Sequence, residues 1–309
     1  MTATGPFPNE RTVVGLTYSE YVPGLVKAEP GLLDYVEIAF EQLLGTPEVG
    51  ALHDEIPIVL HCASLSIAGN NPPEQALVDK LAYWIEKTKT PWVGEHLAYV
   101  RSDGHYREIA EHDAVTAAED RAGAEFVLDG VPFNVGYTVS PQLSEAVLNR
   151  VVSASATWEA KLGATVLLEN GPVYFFMPGS TMSQVEFLNL LCAKRPEARL
   201  LLDLSHLAIS CSNLSLDPFE TLAALPLERV VEVHLSGARE EGGIVWDDHT
   251  MPAPGLVFEL FDRLMSASRP RAVTLEYNWD ATFPTETVIR DVQRVRRIIS
   301  ARQTETALA

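Results

Sequence analysis

The chain is 309 residues long, with 47% apolar and 21% charged residues, a composition typical of a folded globular protein and far from a disordered one. With 42 acids against 23 bases, its formal charge of −19 repels phosphate backbones and anionic lipid surfaces, which argues against nucleic acid or a membrane as partner. No run approaches the roughly 20 apolar residues of a membrane span, and Met1 to Thr12 lacks the basic region and apolar core of a secretory signal, so a cytoplasmic location is expected.

Residues 1–12 read as a polar, disordered tail, followed by a first strand at Val13-Val14-Gly15-Leu16, a second from Tyr35 to Phe40 and a third from Ile56 to His61. Asn71-Pro72-Pro73 opens a helix with Leu77, Leu81, Trp84, Ile85 and Thr88 along one face, stopped by Pro91 before a fourth strand, Trp92 to Leu97. From Val100 to Tyr137 the periodicity loosens and acids cluster between Glu108 and Asp129, the mark of a solvated acidic insertion. Ser140-Pro141 is read as the start of a long helix with Leu143, Val147, Val151, Trp158 and Leu162 on its stripe and Gly163 after its end; strand five follows at Thr165. Ser183-Gln184-Val185-Glu186 and Asp217-Pro218-Phe219-Glu220 have capping-box spacing and mark two helix starts. Between them lies the apolar run Leu200-Leu201-Leu202, which ends in Asp203 and, three residues on, His206. Val230 to Leu235 is the next strand, Pro254 to Met265 a helix, Ala272 to Tyr277 the eighth strand, and Val288, Val292, Val295 and Ile299 face one side of a last helix before a polar tail at residues 303–309.

Short buried strands alternating with helices imply a parallel sheet, and eight such units imply one closed (β/α)8 TIM barrel over residues 13–302. No Gly-x-Gly-x-x-Gly follows a strand and no phosphate-binding loop ends in Gly-Lys-Ser/Thr, so no nucleotide site is indicated. Cys62, Cys192 and Cys211 are too few and too irregular for disulfides or a zinc knuckle; strand alternation points Cys62 away from His61, into the core.

In such a barrel the C-terminal strand ends converge on one mouth. His61, His96, His206, His234 and His249 fall at or just beyond these ends, with Glu37, Glu169, Asp203, Asp247 and Glu276; His53, His105 and His112 do not. Any one histidine alone is more simply a hydrogen-bonded core residue, but five carboxylates buried together require cations. Imidazoles mixed with carboxylates suit zinc, manganese or iron, and this number of ligands can hold more than one ion. Asn170 serves as ligand or as outer donor, Glu41 as a helix-start acid, and Tyr277, Asn278 and Trp279 either line the mouth or, as aromatic residues near a strand end usually do, pack.

The ordered words His61-Cys62-Ala63-Ser64-Leu65-Ser66, Glu95-His96-Leu97, Leu168-Glu169-Asn170, Asp203-Leu204-Ser205-His206, His234-Leu235-Ser236-Gly237, Asp247-Asp248-His249 and Leu275-Glu276 resemble the multinuclear non-heme iron-dependent oxidative enzymes. These are the xylose-isomerase-like barrels of the methanobactin-biosynthesis oxidase and of the enzyme that builds thiaglutamate from a peptide cysteine. Glu37 and Glu41 resemble the paired glutamates of the second strand; Thr17 and Gln42 stand where that family carries an arginine and an asparagine. The resemblance implies two or three iron ions of mixed valence on His61, His96, Glu169, Asn170, Asp203, His206, His234, Asp247, His249 and Glu276, with Glu169, Asp203 and His206 closest to the chemistry. It further implies dioxygen as cosubstrate, a cysteine in a ribosomally made precursor peptide as target, and a partner protein presenting the leader. The alternatives are a metal-dependent isomerase or phosphodiesterase on a related barrel, and a non-catalytic metal-binding scaffold.

Overall fold

The computed structural model describes residues 7, 11–69, 72–98, 125–128, 131–134 and 140–308. Eight strands close a barrel: β1 (Val13–Thr17), β2 (Tyr35–Ala39), β3 (Ile58–Cys62), β4 (Val93–Leu97), β7 (Val166–Asn170), β8 (Arg199–Asp203), β9 (Val230–Leu235) and β12 (Ala272–Leu275). All neighbours pair in parallel, and β1 closes on β12 in the register Val14 to Val273. The expected (β/α)8 barrel is therefore the observed fold. Two short antiparallel hairpins are added, β5 (Glu125–Leu128) with β6 (Val131–Asn134), and β10 (Ala238–Glu241) with β11 (Ile244–Asp247). Apart from β5 and β6, the predicted insertion at 100–137 lies outside the described residues, as do His105 and His112.

The helices are α1 (Val22–Ala28), α2 (Phe40–Gly45), α3 (Gln75–Thr88), α4 (Glu145–Leu162), α5 (Gln184–Lys194), α6 (Leu204–Leu214), α7 (Pro218–Ala223), α8 (Gly255–Ala267) and α9 (Thr285–Leu308). The capping box predicted at Ser183 is present, with Ser183 N donating to Glu186 Oε2 at 2.7 Å and Glu186 N to Ser183 Oγ at 3.2 Å. Asp217 likewise caps α7. Gly163 ends α4 at φ 63°, a left-handed position that suits glycine.

Three helix boundaries differ most from the sequence reading. Helix α4 begins at Glu145, not at Ser140-Pro141, because the stretch before Ser144 is tied to the loop ahead of α5: Leu143 O accepts from Thr181 N and Met182 N, and Leu143 N donates to Ser180 Oγ. Helix α3 starts at Gln75, with Glu74 in extended backbone after the two prolines. Helix α9 runs on to Leu308, past Arg302. Helix α6, which follows β8 without a break, and the β10–β11 hairpin, whose β10 is polar and whose β11 has only the short apolar run Ile244-Val245-Trp246, went unread.

Strand alternation divides the core in two. Outward-facing residues such as Val14, Val36, Leu60, Leu168, Leu202 and Val273 join the helices in one large apolar cluster. Inward-facing Val13, Tyr35, Val59, Leu167, Leu201 and Ala272 fill the lower barrel with Trp92, and Phe7 packs under them, 5.3 Å from the rings of both Tyr35 and Trp92. This plug leaves the upper inward positions for chemistry. Gly94 is one of them: a Cβ there would lie 2.6 Å from His61 Cδ2 and 3.0 Å from Leu201 Cδ1. Gly94→Ala should therefore cost about 1–3 kcal/mol by overpacking; an unchanged denaturant midpoint would show that the interior has room.

Candidate metal centre

The inward positions at the strand ends are Glu37 on β2, His61 on β3, His96 on β4, Glu169 on β7, Asp203 on β8 and His234 on β9, with Glu276 just after β12. Glu169 is the hub. It is 0% exposed, and its Oε2 lies 2.7 Å from His61 Nε2 and 3.0 Å from His96 Nδ1, while its Oε1 lies 3.4 Å from His206 Nδ1 and 3.8 Å from His234 Nδ1.

Asp203 ends β8 and caps α6, its Oδ1 accepting from His206 N at 2.7 Å. The Asp203-x-x-His206 spacing is thus one helical turn with its cap, which swings both side chains into the mouth. Asn170 holds the acid: its Nδ2 donates to Asp203 O and its Oδ1 accepts from Asp203 N, both at 2.9 Å. His206 Nδ1–H donates to Asn170 O at 2.9 Å, leaving Nε2 free toward Asp247 Oδ2 at 3.3 Å.

The β10–β11 hairpin brings the rest. Asn213 of α6 bonds both backbone groups of Val245, and the hairpin ends in Asp247, whose Oδ2 lies 3.0 Å from His249 Nε2. Asn278 N donates to His249 O, joining this loop to the one after β12. Glu276 Oε2 lies 3.2 Å from His234 Nδ1 and 3.8 Å from His249 Nε2.

Among the described residues, potential ligand atoms converge within 4.8 Å of one another in four sets: three share His234, namely His61, Glu169 and His234, then Glu169, Asp203, His234 and Glu276, then Glu37, Glu232 and His234; the fourth, His206, Asp247 and His249, is separate. His96 Nδ1, Glu169 Oε1, Asp203 Oδ2 and His249 Nε2 are buried and, among the described residues, make no hydrogen bond despite these short approaches. Lone pairs aimed at a common space without donors between them are what a cation site requires. Imidazole and carboxylate donors without a thiolate fit a borderline transition metal.

Charge is heavily coupled. Burial favours the neutral acid, yet the imidazoles of His96 and His61 hold Glu169 well below the usual carboxylate range. Burial opposes the imidazolium of His61, but Glu169 raises it to about 9, and Asp247 in the same way raises His249 to about 10. Asp203 and Asp247 hold His206 well above its ordinary value against burial, as Glu37 and Glu276 do His234. Burial pushes Asp203 itself up to about 7, against the pull of His206. Without metal, protons on the imidazoles thus balance the carboxylates.

The structure brings nine of the ten expected ligands to face one another; Asn170 sits among them with its amide bonded at both ends to Asp203. Glu41 stays apart: in the first turn of α2, its carboxylate accepts from Ala63 N at 3.0 Å and Ser64 Oγ at 2.5 Å. Tyr277 is a packing residue whose hydroxyl donates to Asp291 Oδ2 at 3.0 Å. Two residues of the interior were missed, Glu232 and Thr274, both 0% exposed. Each lies two residues before an expected ligand and so on the same inward face, a signal that alternation alone carries. Burial, then the Glu37 charge, pushes the Glu232 carboxyl up to about 8.

These features define a xylose-isomerase-like TIM barrel with a carboxylate-imidazole mouth. Its solved neighbours include a xylose isomerase domain protein from Planctomyces limnophilus (TM-score 0.54, 12% identity, covering 97% of this chain and 100% of that one). Another is a xylose isomerase-like TIM barrel protein from Mycobacterium smegmatis (TM-score 0.53, 11% identity, 96% and 98% covered). At such identities they share the fold alone. The family described as "RiPP precursor modification enzyme MbnB/TglH/ChrH" matches residues 13–118 and 139–300, and the chain belongs to it. Relatives include a UPF0276 protein of Caulobacter vibrioides, 26% identical over 258 residues (82% of each chain), and UPF0276 protein Anae109_1558 of Anaeromyxobacter sp., 28% identical over 289 residues (92% of this chain, 90% of the relative).

The proton balance predicts how metal-free protein responds to pH. His61 and His249 are raised above 6.5, so their contribution is complete below about pH 6.5 and is lost as pH rises through about 9 and 10. Asp203, raised to about 7, shifts stability in the same direction. Chelator-treated protein should lose thermal stability steadily from pH 6.5 to 10; a flat melting profile would contradict the charge assignment.

Proposed function

We propose that this enzyme uses iron and dioxygen to oxidise a cysteine of a ribosomally synthesised precursor peptide. Membership of the family supports a precursor peptide as substrate. The observation that carries the metal reading is the convergence of buried, donorless ligand atoms around Glu169. Iron, when bound, supplies one-electron chemistry with dioxygen and an open position for a soft thiolate.

The chain's own residues divide the work. The two oxygens of Glu169 face different imidazoles, His61 and His96 on one side and His206 and His234 on the other, so Glu169 would help to hold iron together with either pair. His61, His234, Asp203, His206, Asp247, His249 and Glu276 complete the ligand sets, with His96 beside Glu169. Asn170 holds the Asp203 main chain and keeps the proton of His206 on Nδ1, so that its Nε2 lone pair points at the centre. Glu169, Asp203 and His234 are 0% exposed and exclude water from the base of the site. The side chains of His96, Asp247, His249 and Glu276 keep 13–21% of their surface, which marks the side from which a peptide reaches the centre. A partner protein presenting the leader would leave this chain to hold only the reacting segment.

Protein purified anaerobically after iron-replete growth should carry more than one iron per chain. His234→Ala and Glu169→Ala should each lose most of it while the far-ultraviolet circular dichroism stays unchanged. Zinc alone in the wild type, with no dioxygen uptake on adding a cysteine peptide, would refute the proposal.

A further inference from the structure

His234 is 0% exposed and stands between two carboxylates: its Nε2 lies 3.0 Å from Glu37 Oε2 below, and its Nδ1 lies 3.2 Å from Glu276 Oε2 above. A neutral imidazole carries one proton and one lone pair, so only one face can meet a metal ion. One ligand-type atom each from Glu37, Glu232 and His234, three in all, also lie within 4.8 Å of one another in the lower space, so the two faces compete.

The hydrogen bonding decides between them. Below the ring lies a web of proton donors. Trp92 Nε1–H donates to Glu232 Oε2 at 2.5 Å, and Tyr35 Oη–H to Glu232 Oε1 at 3.1 Å. Thr274 Oγ1 lies 2.7 Å from Tyr35 Oη, 3.0 Å from Glu232 Oε1 and 3.1 Å from Glu37 Oε2. None of the buried polar atoms of Tyr35, Glu37, Trp92, Glu232, His234 or Thr274 lacks a partner. A cation there would have to displace an indole N–H, which has no lone pair to offer it. Above the ring the reverse holds: Glu169 Oε1, 3.8 Å from His234 Nδ1, and Asp203 Oδ2 are buried without a donor.

We infer that Glu37 is a positioning residue: its carboxylate accepts the Nε2–H of His234 and presents Nδ1 to the metal, while Thr274, Glu232, Tyr35 and Trp92 hold Glu37 from beneath. This rests on the metal-centre reading above and assigns Glu37, Glu232 and Thr274 a role outside the ligand set. A carboxylate behind a ligating histidine fixes its tautomer and ring orientation, and losing such a partner typically weakens metal binding roughly 10- to 100-fold.

Zinc serves as a diamagnetic probe. In long-range proton–nitrogen spectra of the zinc-loaded, nitrogen-15-labelled full chain, the resonances lost in His234→Gln should show a metal-bound Nδ1 and a protonated, exchange-protected Nε2. In Glu37→Gln, zinc binding measured by chelator competition should weaken about 10- to 100-fold, and the Nε2 proton should move upfield; Thr274→Val should shift that proton in the same direction. A zinc-bound Nε2 with a proton on Nδ1 would overturn the inference while leaving the metal centre standing. Full zinc affinity in Glu37→Gln with an unmoved proton would do the same. A wild-type chain that takes up no zinc would instead overturn the metal-centre reading, and this inference with it.

Discussion

Removing a carboxylate from water costs several kcal/mol unless its charge is met, and this barrel holds Glu37, Glu169, Asp203 and Glu232 at 1% exposure or less. Much of the upper interior answers that requirement. Imidazoles from β3, β4 and β9 and from the first turn of α6 surround Glu169, and in the absence of metal those of His61, His206 and His234 answer it with protons. Those protons are the ones a cation would displace, so metal binding, protonation and stability are one coupled equilibrium here.

Parallel closure makes the cluster possible. Each strand delivers one inward side chain per layer, and the layers sort by chemistry: an apolar plug with Phe7, Val13, Val59 and Leu167, then the web around Glu232, then the ring of imidazoles and carboxylates that could hold a metal ion. The middle layer is unusual in its polarity, yet its donors and acceptors are matched, so it can act as a rigid floor. The loops are tied to the same frame. Ser205 and Ser236 exchange hydrogen bonds across the ends of β8 and β9, and Asn213 pins the hairpin that carries Asp247. Candidate ligands contributed by loops are thereby tied to the same frame as those contributed by strands.

The barrel, and the residues whose side chains meet at its mouth, were legible in the chain because short apolar runs ending in His, Asp or Glu recur at the spacing of βα units. What stayed hidden depended on three-dimensional partners. The hairpin at 238–247 is stabilised by Asn213, distant in sequence, and its only apolar run is the three residues Ile244-Val245-Trp246. Helix α6 begins without a break after β8, so its capping acid looks like the end of a strand. The start of α4 was misplaced because Leu143 is bonded to residues that lie 37 to 39 positions on. Glu232 and Thr274 were visible in principle, since alternation sets them beside His234 and Glu276, but only the web they share with Trp92 and Tyr35 gives them a role.

The central claim is that the Glu169 cluster is a multinuclear iron centre. Anomalous diffraction at the iron absorption edge, from crystals of anaerobically grown iron-replete protein, addresses it directly. The account predicts more than one peak inside the mouth, among the imidazole nitrogens and carboxylate oxygens of the sets around Glu169. A mouth with no anomalous peak, or with its ion in the Glu37–Glu232 floor, would contradict it.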